Sequence, residues 1–428
     1  MSLIVKNFFE NVNIGGNATK ISEEISQRLL QSGLQPGSNV PLAAYLLYKV
    51  AQNNSNSDVT IQDIFEGRLD ISEGTRYFAK EQLPEEAWAQ ILPMVNNYTA
   101  EEFALAALLP EHEDEMKLAM ATPHTILTLV HHLLDVQPDE YVGDLCCGSG
   151  SGFVSFAMNQ PEAHYFGYEI NEERGGIARI RAELLGSNVQ VRLGDVFRLA
   201  DDKNTPRFDK MFSNYPFGMR LRYLGEGSDY MERLAEQYPG LSKATSSDWI
   251  FNALLCDLLA ESGKAIGIMT NGSTWNSIDT PMRRYFVERK MIECVISLPV
   301  KMFPYTNIGT TLIVFSHGND TIRMIDATEI YHKGRRQNMF LQDDIATILT
   351  ALHTDSEYSK DVTLDELRAN EYNLSLERYI QKVPTFQNGV SFESIIKSIT
   401  RGAPCTASQL DKMVSNEVTN MQYLMLAN

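Results

Sequence analysis

Residues 141–152 read Tyr-Val-Gly-Asp-Leu-Cys-Cys-Gly-Ser-Gly-Ser-Gly, and the helix-like Phe-Val-Ser-Phe-Ala-Met follows at 153–158. A short apolar run ending in an acid, then a string of small residues, then helical spacing describes a strand, a tight loop and a helix. Small residues at such a turn let a ligand approach backbone amides. Taken alone the loop also suits a plain tight turn. A dinucleotide-binding fold needs G-x-G-x-x-G, and Phe153 stands where the third glycine belongs, which argues against a dehydrogenase. Downstream, short apolar runs alternate with helical stretches: AHYFGYEI, VQVRLGDV, FDKMFSN, GKAIGIMTN, CVISLP and TTLIVFSH. That alternation predicts a mostly parallel, helix-covered sheet with ligands at the carboxyl ends of its strands. Upstream, from Ile21 to about Pro110, the spacing is helical, and Thr99 with Glu102 forms a capping box for AEEFALAALL. Thr122 opens the next amphipathic helix with Pro123 in its first turn. The expected organisation is a helical domain over 1–115, an α/β domain over 116–385 and a carboxyl-terminal segment over 386–428.

The acids at the strand ends narrow the ligand. Asp144 lies beside exposed loop amides, a placement that suits an ammonium group better than a pyrophosphate, and S-adenosylmethionine carries such a group. Glu169 ends the second strand, 19 residues after Gly150, where an acid can hold ribose hydroxyls. Gly194-Asp195 ends the third, within reach of an adenine amino group. Each of the last two alone also reads as a solvated loop carboxylate, but three acids at successive strand ends make a pattern.

The fourth strand runs into Asn214-Tyr215-Pro216-Phe217-Gly218. Here the sequence resembles the amino-group methyltransferases, whose motif is Asn-Pro-Pro-Phe or Asn-Pro-Pro-Tyr. More closely, it resembles the modification subunit of type I restriction–modification systems, over most of the chain from Thr122 to Ile380. The blocks that carry this are SLPVKMFPYTNIGTTLIVF, IDATEIYHKGRRQN and YNLSLERYI, with DLCCGSGSG, YEIN, GDVF, NYPFG and SSDWIF more generic to S-adenosylmethionine enzymes.

The resemblance implies a class I S-adenosylmethionine-dependent methyltransferase fold, Rossmann-like, mostly parallel with an antiparallel edge strand, and transfer of methyl groups to adenine N6 in DNA. An exocyclic adenine amine has its lone pair delocalised into the ring, so the enzyme accepts its hydrogens instead of deprotonating it. Asn214, the Tyr215 carbonyl and Phe217, with Pro216 between them, take the family's roles: two acceptors and an aromatic face for a base flipped from the duplex. The donor site implied comprises Thr122, Pro123, Asp144, Cys146, Gly148, Ser149, Gly150, Glu169, Ile170, Asp195 and Val196. The sequence departs from the family at Tyr215, where proline is usual. The backbone carbonyl survives, but the ring that directs it is lost, and a phenol needs room near the substrate pocket. A donor-binding but catalytically impaired structural subunit of a DNA-binding complex therefore stays open, as does a methyltransferase acting on RNA or on protein amides.

Charge bears on partners. Lysine and arginine total 37 against 55 aspartate and glutamate, a net of −18, and residues 1–120 hold eight basic and seventeen acidic side chains. Such a surface repels polyanions, which excludes unaided nonspecific DNA binding and agrees with the family's use of a separate specificity subunit or a fused recognition domain, beside a restriction subunit in complete systems. Lys333, Arg335 and Arg336 form the one dense basic cluster near the sheet, suited to phosphate contact or to plain solvation. Phe392–Asn428 resembles the opening of a target-recognition domain, implying a methylase–specificity fusion or a chain cut inside that domain; a short helical tail docked on a partner is the alternative. Five cysteines without CxxC spacing, and His124, His131 and His132 on one helix without an acid or cysteine set, indicate no metal site. No membrane span is expected, and a reducing cytoplasm fits.

Overall fold

A computed structural model describes residues 12–53, 60–67, 69–109, 121–199, 202, 204–219, 229–242, 244–304, 307–335, 337–380, 385–386 and 390–391. Contacts divide the chain into two units, 1–380 and 381–428. In the second, Thr385–Phe386 pairs antiparallel with Val390–Ser391; the recognition-domain resemblance of Phe392–Asn428 lies outside the described residues.

The first unit is built on a nine-stranded sheet. Its strands are β1 (Tyr141–Asp144), β2 (His164–Glu169), β3 (Val189–Leu193), β4 (Phe208–Ser213), β5 (Leu259–Thr270), β6 (Ile292–Ser297), β7 (Thr310–Phe315), β8 (Thr321–Asp326) and β11 (Ser359–Thr363); β9 (His332–Lys333) and β10 (Asn338–Met339) form a separate hairpin. The spatial order is β11-β8-β6-β7-β5-β4-β1-β2-β3. All seven expected strands are present. The antiparallel edge strand is β11, against β8, and a second antiparallel strand, β7, lies inside the sheet between β5 and β6. β1 pairs in parallel with both β2 and β4, so chain order reverses between β1 and β4. That reversal opens a crevice at their carboxyl ends, where open α/β sheets bind ligands.

Strands buried on both faces read as unbroken apolar runs. In β7 all six residues are buried: Leu312 and Val314 join one core, Ile313 and Phe315 the other. The first core packs beneath the helices Ser151–Asn159 and Glu172–Leu185, the second beneath Ser247–Leu258. The helical amino-terminal region leans on Glu172–Leu185. Glu183 accepts from the Tyr45 hydroxyl and, at 2.9 Å, from that of Thr75, while the Ser38 hydroxyl donates to Glu173 at 2.5 Å.

The Thr99–Glu102 capping box forms as read. Two short helices, Ile61–Phe65 and Glu73–Gln82, add to those expected. The helix after residue 120 begins one residue later than read, at His124, because Pro123 keeps extended ψ and serves as its cap. Its His131 stacks on Phe156 at 6.4 Å, and burial lowers the imidazole pKa. Among the described residues, no helix is long and apolar enough to cross a membrane.

Candidate active site

One cleft at the sheet's reversal point is lined by Thr122, Asp144, Cys146, Gly148, Ser149 and Asn214 together. The loop after β1 has a fixed shape. Gly148 and Gly150 take left-handed φ values of 57° and 92°, and Gly150 caps the helix Ser151–Asn159. A side chain at Gly150 would strike the Phe153 ring at 2.3 Å, so with that ring packed beneath the turn residue 150 has to be glycine. Cys147 N–H donates to the Tyr168 carbonyl at 2.9 Å, and Gly148 N–H to Glu169 Oε2 at 2.9 Å.

Glu169 thus has two tasks. One oxygen orients Gly148, the other accepts from Asn171 N–H at 2.8 Å, and each carboxylate oxygen keeps a second lone pair for a further donor. Gly194 N–H donates to the Glu169 carbonyl at 2.8 Å, tying the tips of β2 and β3. Asp195 Oδ1 caps the next turn by accepting from Phe197 N–H at 2.9 Å. Ile170 is 67% exposed beside these acids, an apolar face at a strand tip. Val196 differs: its side chain is buried in the second core, so only its backbone is available to a ligand. Likewise buried is Pro123, whose part in the site is to set the helix start.

Asp144 is the most perturbed acid in the cleft. It is 5% exposed and accepts from Cys146 N–H at 3.3 Å. Burial, opposed by that hydrogen bond and reinforced by the charge of Glu169, pushes its carboxyl up to about 7. Burial likewise pushes the Cys146 thiol up, with Asp144, Glu169 and Asp195 adding to the effect, which keeps it protonated and inert as a nucleophile. A buried carboxylate whose hydrogen bond comes from a neutral backbone N–H fits an ammonium-bearing ligand. S-adenosylmethionine is therefore compatible with this donor set.

The pH dependence follows. Only ionised Asp144 attracts an ammonium, so donor affinity is expected to fall about tenfold per pH unit below about 7. In Asp144→Asn the affinity is expected to be weak and flat with pH; calorimetric titration between pH 5 and 8 checks both. Without donor the sign reverses. The folded carboxyl titrates above the unfolded one, so its contribution to stability is complete below about pH 4 and is lost as pH rises to about 7.

Across the cleft, Asn214 Nδ2 donates to Thr122 Oγ1 at 3.0 Å, a contact between residues 92 apart in sequence. The carboxamide is thereby turned with its nitrogen toward Thr122. Phe217 is half-buried and meets Phe303 edge-on, with centroids 6.2 Å apart and planes at 90°. Pro216, between Tyr215 and Phe217 in sequence, is half-buried.

Tyr215 corrects the expectation from sequence. Its phenol takes no room in the cleft but is 1% exposed in the second core, stacked on Phe251 at 5.0 Å and 6°. The hydroxyl donates to Asn252 Oδ1 at 3.0 Å. Gly267 of β5 makes the slot: a Cβ there would lie 2.4 Å from Asn252 Oδ1 and 3.3 Å from the Tyr215 ring. The ring thus anchors residue 215 from behind and does not compete with a substrate for room in the cleft. Sequence reasoning missed Arg174, which also lines the cleft; it sits in the first turn of Glu172–Leu185, and nothing in its local sequence marks it.

With this geometry in view, the family comparison is decisive. The N-6 DNA Methylase family matches residues 103–387. The chain belongs to that family. Among individual members it is 26% identical over 293 residues to the type I restriction enzyme MjaVIII methylase subunit of Methanocaldococcus jannaschii, a stretch covering 61% of this chain and 49% of that protein. The chain spans about half the length of that relative. Its fold resembles the type I restriction–modification methyltransferase subunit of Streptococcus thermophilus, with TM-score 0.65, 19% identity and coverage of 80% of this chain and 81% of that one. The type I restriction enzyme EcoKI M protein gives TM-score 0.51 and 15% identity, covering 85% and 89%.

Proposed function

We propose that this chain is the modification subunit of a type I-like restriction–modification system, transferring a methyl group from S-adenosylmethionine to adenine N6 in DNA. The observation that carries this reading is the Asn214 carboxamide, held by Thr122 in the same cleft as Asp144. When bound, the donor supplies an electrophilic methyl group on a sulfonium. Asp144 holds its ammonium, Glu169 its ribose and Asp195 its adenine edge, with Gly148, Ser149 and Gly150 giving it room. Asn214 Oδ1 and the Tyr215 carbonyl accept the two hydrogens of the target amine and favour a pyramidal nitrogen. Positioning then does most of the work. Phe217, steadied by Phe303, supplies a face for the extruded base.

Duplex contact fits the hairpin of β9 and β10. Lys333 and Arg335 are exposed on it, while Arg336 lies outside the described residues. Asn338 fastens the hairpin to the loop after β6: its side chain donates to the Val300 carbonyl and its N–H to that of Lys301, both at 2.8 Å. Phe303 follows two residues later, so the basic hairpin and the Phe217 face are joined through one loop. The net charge of −18 supports delegation of affinity and sequence reading to a specificity subunit or a fused recognition domain. Competition among DNA, RNA and protein for label from tritiated donor, in the presence of the specificity partner, tests the reading. DNA is expected to take the label; incorporation into RNA or protein would replace it with an amide or RNA methyltransferase.

A further inference from the structure

The cleft explains Glu169 on the donor loop's N–H side but leaves the loop's carbonyl side to be accounted for. The residue there is Arg181, two turns beyond Arg174 on the helix Glu172–Leu185 and 1% exposed. A guanidinium has five N–H donors and no acceptor. Burying one requires several oxygens in its plane, and breaking such an arrangement is expensive. Arg181 Nη1 donates to the Ser149 carbonyl at 2.8 Å. Its Nε donates to the Ala107 carbonyl at 3.1 Å and its Nη2 to the Leu109 carbonyl at 2.6 Å. Those two carbonyls are at the end of the helix Ala100–Leu108, where terminal carbonyls lack intrahelical partners and the dipole favours a cation.

Resting on the reading of this cleft as a methyl-donor site, we infer that Arg181 is a positioning residue that couples the docking of the Ala100–Leu108 helix to the shape of the donor loop. Ser149 lies between the two left-handed glycines, and the Gly150 N–H donates back to the Cys147 carbonyl at 2.8 Å. Glu169 holding Gly148 N–H and Arg181 holding Ser149 C=O pin the turn from both sides and limit rotation of the amides that a donor approaches. The same guanidinium cannot keep Ser149 if the Ala100–Leu108 helix moves, because one rigid fork serves all three carbonyls. Donor binding and helix docking therefore favour each other, and the coupling is reciprocal.

The first test uses the unmutated chain. Hydrogen exchange with and without S-adenosylmethionine is expected to show donor-dependent slowing at the amides of 105–109 as well as at 147–151. Protection confined to the loop overturns the coupling. The second test is Arg181→Lys, whose single ammonium keeps the charge but not the three-carbonyl fork. Donor Kd is expected to rise about tenfold, within the usual range of coupling between sites, and the protection at 105–109 is expected to disappear. An unchanged Kd with protection intact overturns the proposal. No donor binding by the parent chain would instead overturn the functional reading beneath it, so the two failures are distinguishable.

Discussion

Asn214→Ala, assembled with the specificity partner, is expected to bind donor as the parent does and to transfer methyl groups about 100- to 1,000-fold more slowly, the scale on which deleting one preorganised hydrogen-bonding group slows an enzyme. The argument is geometric. The carboxamide follows β4, is turned by its bond to Thr122 and shares the cleft with Asp144 and the glycine-rich loop; in the proposed reaction it faces the target amine while they hold the donor. Alanine removes the acceptor and leaves the loop, Glu169 and Asp144 as they were. Thr122→Val separates positioning from chemistry: it keeps the carboxamide and removes the hydroxyl that orients it, and a smaller loss, confined to the methyl-transfer step, is expected. Single-turnover rates with tritiated donor, paired with calorimetric donor affinities, measure both variants. A parallel drop in donor affinity for Asn214→Ala would assign Asn214 to donor binding.

Tyr215→Pro restores the residue usual in the family's motif, and its expected effect is a loss of stability. The phenol ring fills a slot between Phe251, Asn252 and Gly267, with the hydroxyl on Asn252 Oδ1. Truncating a buried aromatic ring costs about 3–5 kcal/mol, and the abandoned Asn252 oxygen adds about 1–3 kcal/mol. Tyr215→Phe isolates the second contribution, because the stack on Phe251 survives and only the hydrogen bond goes. Urea denaturation of the two variants separates them by the cost of the ring. Equal midpoints for Tyr215→Pro and the parent would place the ring outside the core. At this position the chain has exchanged a rigid proline for an aromatic anchor, which fixes the backbone from the opposite side of the sheet.

Much of this architecture was legible in sequence because buried parallel strands leave unbroken apolar runs, as in TTLIVF, and because strand-end acids precede small-residue or capped turns. Asp144, Glu169 and Asn214 could be read for the same reason: each stands at the carboxyl end of a strand. What escaped depends on distant partners. β11 reads Ser-Lys-Asp-Val-Thr and buries only Ser359 and Val362, too little to mark a strand. Glu73–Gln82 buries Thr75, Phe78 and Ala79 in an otherwise polar stretch. The direction of the Tyr215 ring is set by Asn252, 37 residues away, and that of Asn214 by Thr122, 92 residues away. Local spacing cannot register such pairs. Arg181 is the extreme case, since its three carbonyl partners come from backbone and have no residue signature at all.

The most direct measurement is the identity of the methylated base. DNA incubated with the specificity-bound chain and isotopically labelled donor is digested to nucleosides and analysed by mass spectrometry. A cleft that presents a flipped adenine amine to Asn214 beside the Asp144 loop yields label in N6-methyladenine and, with Asn214→Ala, about 100- to 1,000-fold less of it in the same time while donor still binds. Label in another base, or undiminished N6-methyladenine from Asn214→Ala, would contradict it.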